Sequence, residues 1–403
     1  MSARDMLQGA RYRLLTINSG SSSLKISLFR IAEDVSKTVS GAVTGIGANE
    51  SRIKVETAYG ELLLDETVSS ANHPAALESL FAALSRHIDL GSVSVIGHRI
   101  VHGGPYYTKA ERLTPSIEAD LRKLIPMAPL HMPANLDCIF AARQRYPDAL
   151  HYACFDTSFH NDMPDTARRT GLPLDMEDLF VRRFGFHGIS YAYIIDDLAA
   201  RAGDEASKQR LLVAHLGAGA SMAAIMDRKS VDTSMGFSAL SGLLMATRSG
   251  DIDPGLLLYL IIDKGWDPVA LRETLYHEAG LFGLSGLSDA ETLLKSDAAA
   301  ARQALAQFNY QARKQAGALI AVMGGIDRII FTGGIGENAP TIRAAICEPL
   351  GDLYGIRLDA KANDLGETRI SASDSFVIVE TIPTDEATMI ARYGRALVAS
   401  DAA

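Results

Sequence analysis

Several short segments of this chain carry residue types suited to holding and moving anions. The first is Asn18-Ser19-Gly20-Ser21-Ser22-Ser23-Leu24-Lys25. Small residues let backbone N–H groups approach a phosphate, hydroxyls such as those of Ser21 and Ser23 donate to it, and Lys25 adds a point charge. It is not a Walker A loop, because the glycine–lysine spacing is missing and a strand follows. A second small-residue turn, His215-Leu216-Gly217-Ala218-Gly219-Ala220, and a third, Thr332-Gly333-Gly334-Ile335-Gly336-Glu337-Asn338, repeat the theme. The third follows an apolar run and precedes a helical pattern, which suits a nucleotide phosphate or ribose. Arg99, in Gly97-His98-Arg99-Ile100-Val101, and Arg248, in Ala246-Thr247-Arg248-Ser249-Gly250, sit beside small residues where a planar fork can grip a carboxylate or phosphoryl group. Asp156 closes one apolar run, His187 stands between Phe186 and Gly188, and Thr384-Asp385-Glu386 opens the last helical pattern.

The elements that must position these residues alternate in type. Residues 14–17 and 24–29 read as strands joined by the first turn, with Leu24, Ile26 and Leu28 on one face and Lys25, Ser27 and Phe29 on the other. Residues 14–29 align without gaps on residues 211–226, placing Asn18 on His215, Gly20 on Gly217 and Ser21 on Ala218. An echo at so long a period points to two duplicated domains rather than a solenoid. Strands are expected at 93–101, 150–156, 327–332 and 376–380, and helices at 135–146 and 190–202. Asp253-Pro254 and Asp267-Pro268 each place a capping acid before a first-turn proline, so helices start there. Apolar residues at spacings of three and four from Leu305 to Met323 predict one long helix over 296–324. The pattern is that of an α/β protein with open sheets.

The chain has 403 residues, 47% of them apolar, enough for two or three domains and too much for a disordered polymer. Its net charge of −9, with acids and bases interspersed, argues against a nucleic-acid or polybasic membrane partner. Three scattered cysteines, Cys138, Cys154 and Cys347, lack metal-ligand spacing and read as buried thiols of a reducing compartment. With no signal-like apolar stretch and no run long enough to span a bilayer, a cytoplasmic protein is expected.

Taken in order, NSGSSSLK, GHRIVHGG, APLHMPAN, FDTSFH, RRFGFHGIS, HLGAGAS, MGFSALSGLLMATRSGDIDPG, FTGGIGEN and PTDEA resemble the acetate kinase family over nearly the whole chain. The resemblance implies two duplicated ribonuclease-H-like domains of the sugar kinase–heat-shock protein–actin superfamily, with mixed sheets flanked by helices and closing on a cleft. The domains are expected at 12–160, with a terminal helix at 387–401 packing back on it, and at 161–386. It implies a homodimer, and Mg²⁺-dependent in-line phosphoryl transfer from ATP to acetate, giving acetyl phosphate and ADP, with Mn²⁺ able to replace Mg²⁺. By the same resemblance Asn18 and Glu386 take the metal positions. Lys25, Ser21, Ser23, His215, Leu216, Gly217, Ala218, Gly219, Asp289, Ala290, Glu291, Gly334, Ile335, Gly336, Glu337 and Asn338 take the nucleotide positions. Arg99, Val101, Leu130, Phe186 and Ala239 take the acetate pocket, and Asp156, His187 and Arg248 the catalytic set. Acetate is already ionised at neutral pH, so Asp156 is expected to orient an arginine and a metal-bound water more than to move a proton.

Some positions depart from the family pattern. Ala218 replaces an asparagine, Ala239 a proline, and Asp289-Ala290-Glu291 lacks the usual arginine. Asp385 replaces an asparagine and adds charge beside the metal position. Ala239 leaves room for propionate or another short carboxylate, and the altered adenosine loop leaves GTP or pyrophosphate open as donor. A non-catalytic nucleotide-binding switch would have shed the reactive set, which is intact. A sugar kinase would need a hydroxyl-activating base and a polyol pocket, and the paired arginines fit a carboxylate better.

Overall fold

The computed structural model describes residues 13–20, 22–48, 50–173, 176 and 180–400. Ser21 lies outside the described residues. The chain divides into two units, one running to Ser158 and resuming at Asp385, the other spanning Phe159–Thr384.

The first unit is built on an eight-stranded mixed sheet. Five strands, β1 (Arg13–Ser19), β2 (Ser23–Ile31), β3 (Val35–Thr44), β4 (Ser51–Thr57) and β5 (Leu62–Val68), form an antiparallel meander. The chain then crosses over through the helix His73–Ser85 to β6 (Val93–Ile100), which lies parallel to β1. A two-residue strand, β7 (Glu111–Arg112), and the helix Met132–Arg145 lead to β8 (Leu150–Phe155), parallel to β6. The order is β5-β4-β3-β2-β1-β6-β8-β7. Alternation explains the packing: Leu15 and Ile17 of β1 and Leu24, Ile26 and Leu28 of β2 bury one face against Leu77, Leu80 and Phe81 of the helix His73–Ser85. That helix starts where Asn72 accepts the N–H of Ala75 (3.0 Å) and a proline occupies the first turn. The final helix, Glu386–Ser400, covers the other face, where Tyr152 donates to the carbonyl of Ile390 (2.8 Å).

The second unit carries a five-stranded sheet, β9 (Leu211–Leu216), β10 (Ala220–Met226), β11 (Lys229–Thr233), β12 (Arg328–Thr332) and β13 (Ile378–Thr381), in the order β11-β10-β9-β12-β13. The order and strand senses repeat β3-β2-β1-β6-β8: an antiparallel three-strand meander followed by two parallel strands. The duplicated ribonuclease-H-like expectation therefore holds. Tyr191, Ile194, Ile195 and Leu198 of the helix Gly188–Ala202 pack on Leu211, Val213, Ala223 and Ile225. The long helix runs Ala299–Val322 and buries Ala304, Phe308, Ala312, Ala316 and Leu319 at the predicted spacing. Asp253 and Asp267 cap their helices as expected, accepting from Gly255 (2.6 Å) and Ala270 (2.8 Å).

The gapless echo needs one correction. Ser19 pairs with Leu24 across a four-residue turn, whereas Leu216 pairs with Ala220 across a three-residue turn. Asn18 still matches His215, but Lys25 then matches Ser221, one residue earlier than the alignment gave. A slip of one exchanges the faces of a strand. The sequence did not reveal it because β10 is apolar and buried on both faces.

Three cysteines are free and buried, and no helix among the described residues is long and apolar enough to cross a membrane. His98 and His160 are also buried. Burial holds the pKa of His98 well below its usual value and that of His160 down at about 4. Both rings stay neutral in the fold, while in the unfolded chain they take up a proton near pH 6.5. Stability is therefore full above about pH 6.5 and falls as the pH drops from there toward the folded values. At pH 5.5 the His160 ring should have cost roughly 1 kcal/mol relative to pH 8, and His98 adds a loss of the same sign. Urea denaturation across pH 5.5–8 should show this loss, with a shallower slope for His98→Leu.

Candidate active site

In the first unit the parallel strands β1, β6 and β8 end side by side. Loops at the carboxyl ends of such strands are where α/β sheets bind ligands. Asn18 stands near the end of β1, Arg99 near the end of β6, and Asp156 directly after β8. The Arg99 guanidinium grips Asp156 bidentately, Nε to Oδ1 at 2.9 Å and Nη2 to Oδ2 at 2.5 Å. Its Nη1 donates to Asn18 Oδ1 at 2.9 Å. Asn18 Nδ2 in turn donates to Glu386 Oε2 at 2.8 Å, and that oxygen lies 3.9 Å from Arg99 Nε. The Asp156 side chain is 1% exposed and that of Arg99 17%. Burial pushes the Asp156 pKa up from the ordinary carboxylate range, and the Arg99 charge opposes that rise. Burial alone would lower the Arg99 pKa, but the charges of Asp156 and Glu386 outweigh it and raise it.

This geometry modifies the sequence-based picture of Arg99. Of its five N–H groups, three are committed to Asp156 and Asn18. One N–H remains on each Nη beyond these bonds. The Asp156 carboxylate is thus spent on fixing the arginine.

Lys25 is the cross-strand partner of Asn18, so both side chains share one face at the hairpin end. Lys25 is exposed, and Ser23 opens β2 where its carbonyl accepts from Gly20 N (2.8 Å). Val101 is buried and Leu130 half-buried. The Val101 N–H is held by Asn135 Oδ1 (3.0 Å), while Asn135 Nδ2 donates to Ser19 Oγ (2.6 Å). Asn135 thereby ties the ends of β1 and β6 to one helix, a function its sequence context did not single out. Asp385 is quenched locally: Lys37 Nζ lies 2.5 Å away, and Asp385 caps the last helix by accepting Thr388 N (3.0 Å). Burial alone would raise its pKa, but Lys37 and Thr388 outweigh this and lower it.

In the second unit His187 starts the helix Gly188–Ala202 with φ of 59°, a left-handed backbone that a non-glycine residue adopts only when its surroundings impose it. Its Nδ1 pairs with Ser221 Oγ (2.8 Å), and its ring stacks on His215 with centroids 4.3 Å apart. His215 Nδ1 pairs with Ser190 Oγ (2.9 Å). A Cβ added to Gly219 would lie 3.5 Å from His187 Nε2 and 3.8 Å from Arg248 Nη1, so both side chains converge on the second turn. The Arg248 loop is tied there by Ala246 N donating to the carbonyl of exposed Ala218 (3.1 Å). Arg248 Nη1 also donates to the carbonyl of half-buried Ala239 (3.2 Å). Gly280 makes this loop feasible, since at φ of 66° an added Cβ would meet Met245 O at 2.3 Å. Phe186 is buried, and its carbonyl pairs with His160 Nε2 (3.0 Å).

The third turn is itself a short helix, Gly333–Asn338, not a loop before one. An added Cβ on Gly333 would lie 2.7 Å from the carbonyl oxygen of Leu216, so the second and third turns touch. Glu337 folds back to accept Gly333 N (2.9 Å), and Asn338 donates to the carbonyl of Gly334 (2.9 Å). Ile335 is half-buried and Gly336 buried; Gly334 faces open space. Asp289 caps the helix Ala290–Leu294 through Thr292 N (2.8 Å), and exposed Glu291 pairs with Lys295 (2.5 Å). Ala290 is buried.

The acetokinase family model matches residues 13–392. The chain belongs to the acetokinase family. The acetate kinase of Rhodopseudomonas palustris strain TIE-1 is 41% identical over 386 residues, covering 94% of this chain and 97% of its own. That of Rhizobium meliloti is 41% identical over 395 residues, covering 96% and 98%. Among solved structures, Porphyromonas gingivalis acetate kinase superposes with a TM-score of 0.84 at 35% identity, covering 96% of this chain and all of its own. A propionate kinase from Francisella tularensis gives 0.87 at 30% identity, covering 96% and 99%.

In this acetokinase the buried Arg99–Asp156 pair yields a direct expectation. Asp156→Asn keeps the shape but strands the Arg99 charge, which should cost about 3–5 kcal/mol of stability. Misplacing the fork should lower kcat/KM about 100-fold. Chemical denaturation and a coupled ADP assay on the same preparation check both.

Proposed function

We propose that the protein is an acetate kinase that transfers the γ-phosphoryl group of ATP to an acetate oxygen, forming the new O–P bond as the bond to ADP breaks. In-line transfer needs positioning and charge neutralisation more than covalent help. The observation that carries this reading is the convergence of His187 Nε2 and Arg248 Nη1 on the Gly219 turn. Donors placed there would stabilise the equatorial oxygens of the moving group. Arg99, with an N–H left on each Nη, would hold the acetate carboxylate. Val101, Leu130, Phe186 and Ala239 would face its methyl group. Lys25, Ser21 and Ser23 of the first turn, the second and third turns and the Asp289–Glu291 segment would hold the nucleotide.

The donor set suits Mg²⁺. Asn18 and Glu386 offer hard oxygen atoms, and no group of three or more His, Cys, Asp or Glu side chains gathers among the described residues. An ion held by one or two protein oxygens, waters and nucleotide phosphates fits this. When bound it would neutralise phosphate charge; Glu386 and Asn18 would hold it, and Asp156 would keep Arg99 in register beside them.

The small Ala239 side chain supports a second reading, propionate as an alternative acceptor. One methylene in an apolar pocket is worth about 1–3 kcal/mol, so preference rather than exclusion is expected. Coupled ADP release with Mg²⁺ and ATP, over acetate, propionate and butyrate, tests both readings. We expect turnover with acetate and a kcat/KM for propionate within about tenfold of it. No turnover with any carboxylate overturns the enzyme reading, and a steep fall from acetate to propionate overturns the second.

We also propose a homodimer. The helix Pro254–Ile262 is almost wholly apolar and has no buried residue; Leu258 is 57% exposed and Ile262 73%. Trp266 and Val269 continue the apolar surface. An exposed apolar patch of this kind suits a second copy. Light scattering should report a dimer for the native chain and a monomer for Leu258→Glu. The buried free thiols support a reducing, cytoplasmic setting.

A further inference from the structure

We propose that Tyr191 and Ser221 are positioning residues that fix the proton of the His187 imidazole on Nε2, making it a hydrogen-bond donor toward the Gly219 turn. The inference rests on the phosphoryl-transfer role given to His187 above.

Ser221 Oγ lies 2.8 Å from His187 Nδ1 and 2.5 Å from the Tyr191 hydroxyl. Tyr191 and Ser221 are fully buried, so neither hydroxyl can turn to bulk water. Among the described residues the Tyr191 hydroxyl has one hydrogen-bond partner, Ser221 Oγ. Its proton therefore points to Ser221 Oγ. The Ser221 proton then points to the remaining neighbour, His187 Nδ1. An Nδ1 that accepts carries no proton, so the ring proton sits on Nε2. The opposite order, with Nδ1–H donating to Ser221 and Ser221 to Tyr191, leaves a buried phenol proton with no acceptor, which folded proteins avoid.

The consequence is chemical. With the proton on Nε2, both His187 and Arg248 present donors where phosphoryl oxygens would lie. With the proton on Nδ1, a lone pair would face those oxygens and repel them. The stack on His215 fixes the ring plane, and the Tyr191–Ser221 chain sets which nitrogen bears the hydrogen. Ser221 occupies in β10 the register position that Lys25 holds in β2, so the duplicated hairpin uses the same place for a cation in one unit and for a proton relay in the other.

The test uses the full chain with ¹⁵N-labelled histidine. Long-range ¹H–¹⁵N spectra should show His187 as a single Nε2–H tautomer. Tyr191→Phe keeps the ring and removes the hydroxyl, and Ser221→Ala removes the donor to Nδ1. Each should convert the signal to a tautomer mixture and lower kcat about tenfold, with KM for acetate and ATP changed less than about twofold. Circular dichroism checks that the variants fold; if neither does, the native tautomer alone decides. An Nδ1–H tautomer in the native protein overturns the proposal, as does a Tyr191→Phe variant that keeps both tautomer and kcat. Absence of carboxylate turnover in the native protein would instead overturn the functional reading, while leaving the tautomer measurable.

Discussion

The buried ion pair between Arg99 and Asp156 is the constraint on which the first unit's site depends. A guanidinium on a strand end has several rotamers and would be an imprecise clamp. Two hydrogen bonds to a carboxylate that is 1% exposed remove that freedom, and Asn18 fixes a third N–H. The sheet makes this affordable, since β1, β6 and β8 are parallel neighbours whose ends deliver all three side chains together. Such a pair is weak evidence of stability, because desolvation offsets most of the attraction. Its value lies in geometry: the charge of Arg99 is held in one place with one N–H left on each Nη.

In the second unit a left-handed backbone and hydroxyl groups take part in aiming the donors. His187 is placed by a left-handed backbone and a serine, and Arg248 by a loop that Gly280 allows to close. A carboxylate beside the Gly219 turn would repel the phosphates proposed to bind there, whereas Ser221 and Ser190 orient imidazoles without adding charge. Glu337 of the third turn is turned back onto Gly333 N.

Much of this was legible in the sequence because it is local or periodic. The hairpins, the capped helices at Asp253 and Asp267 and the long helix followed from turn chemistry and spacing. The duplication was visible in the strand–turn–strand echo, but its register was not, since apolar residues on both faces of β10 carry no parity. The roles of Asn135, Ser221 and Tyr191 were invisible for another reason. Each acts through a partner at least 30 residues away, and nothing in a helix or strand pattern marks a buried hydroxyl or amide as engaged. The charge added by Asp385 looked like a perturbation of the metal position. Lys37, remote in sequence, neutralises it.

The most direct test of this account is a double-mutant cycle on kcat/KM for acetate with Arg99→Lys, Asp156→Asn and the double variant. If Asp156 acts by fixing Arg99, the second substitution should cost almost nothing once the first is made, giving a coupling energy of about 2 kcal/mol or more. Additive effects within about 0.5 kcal/mol would contradict it, and would assign Asp156 a part in the reaction independent of the arginine.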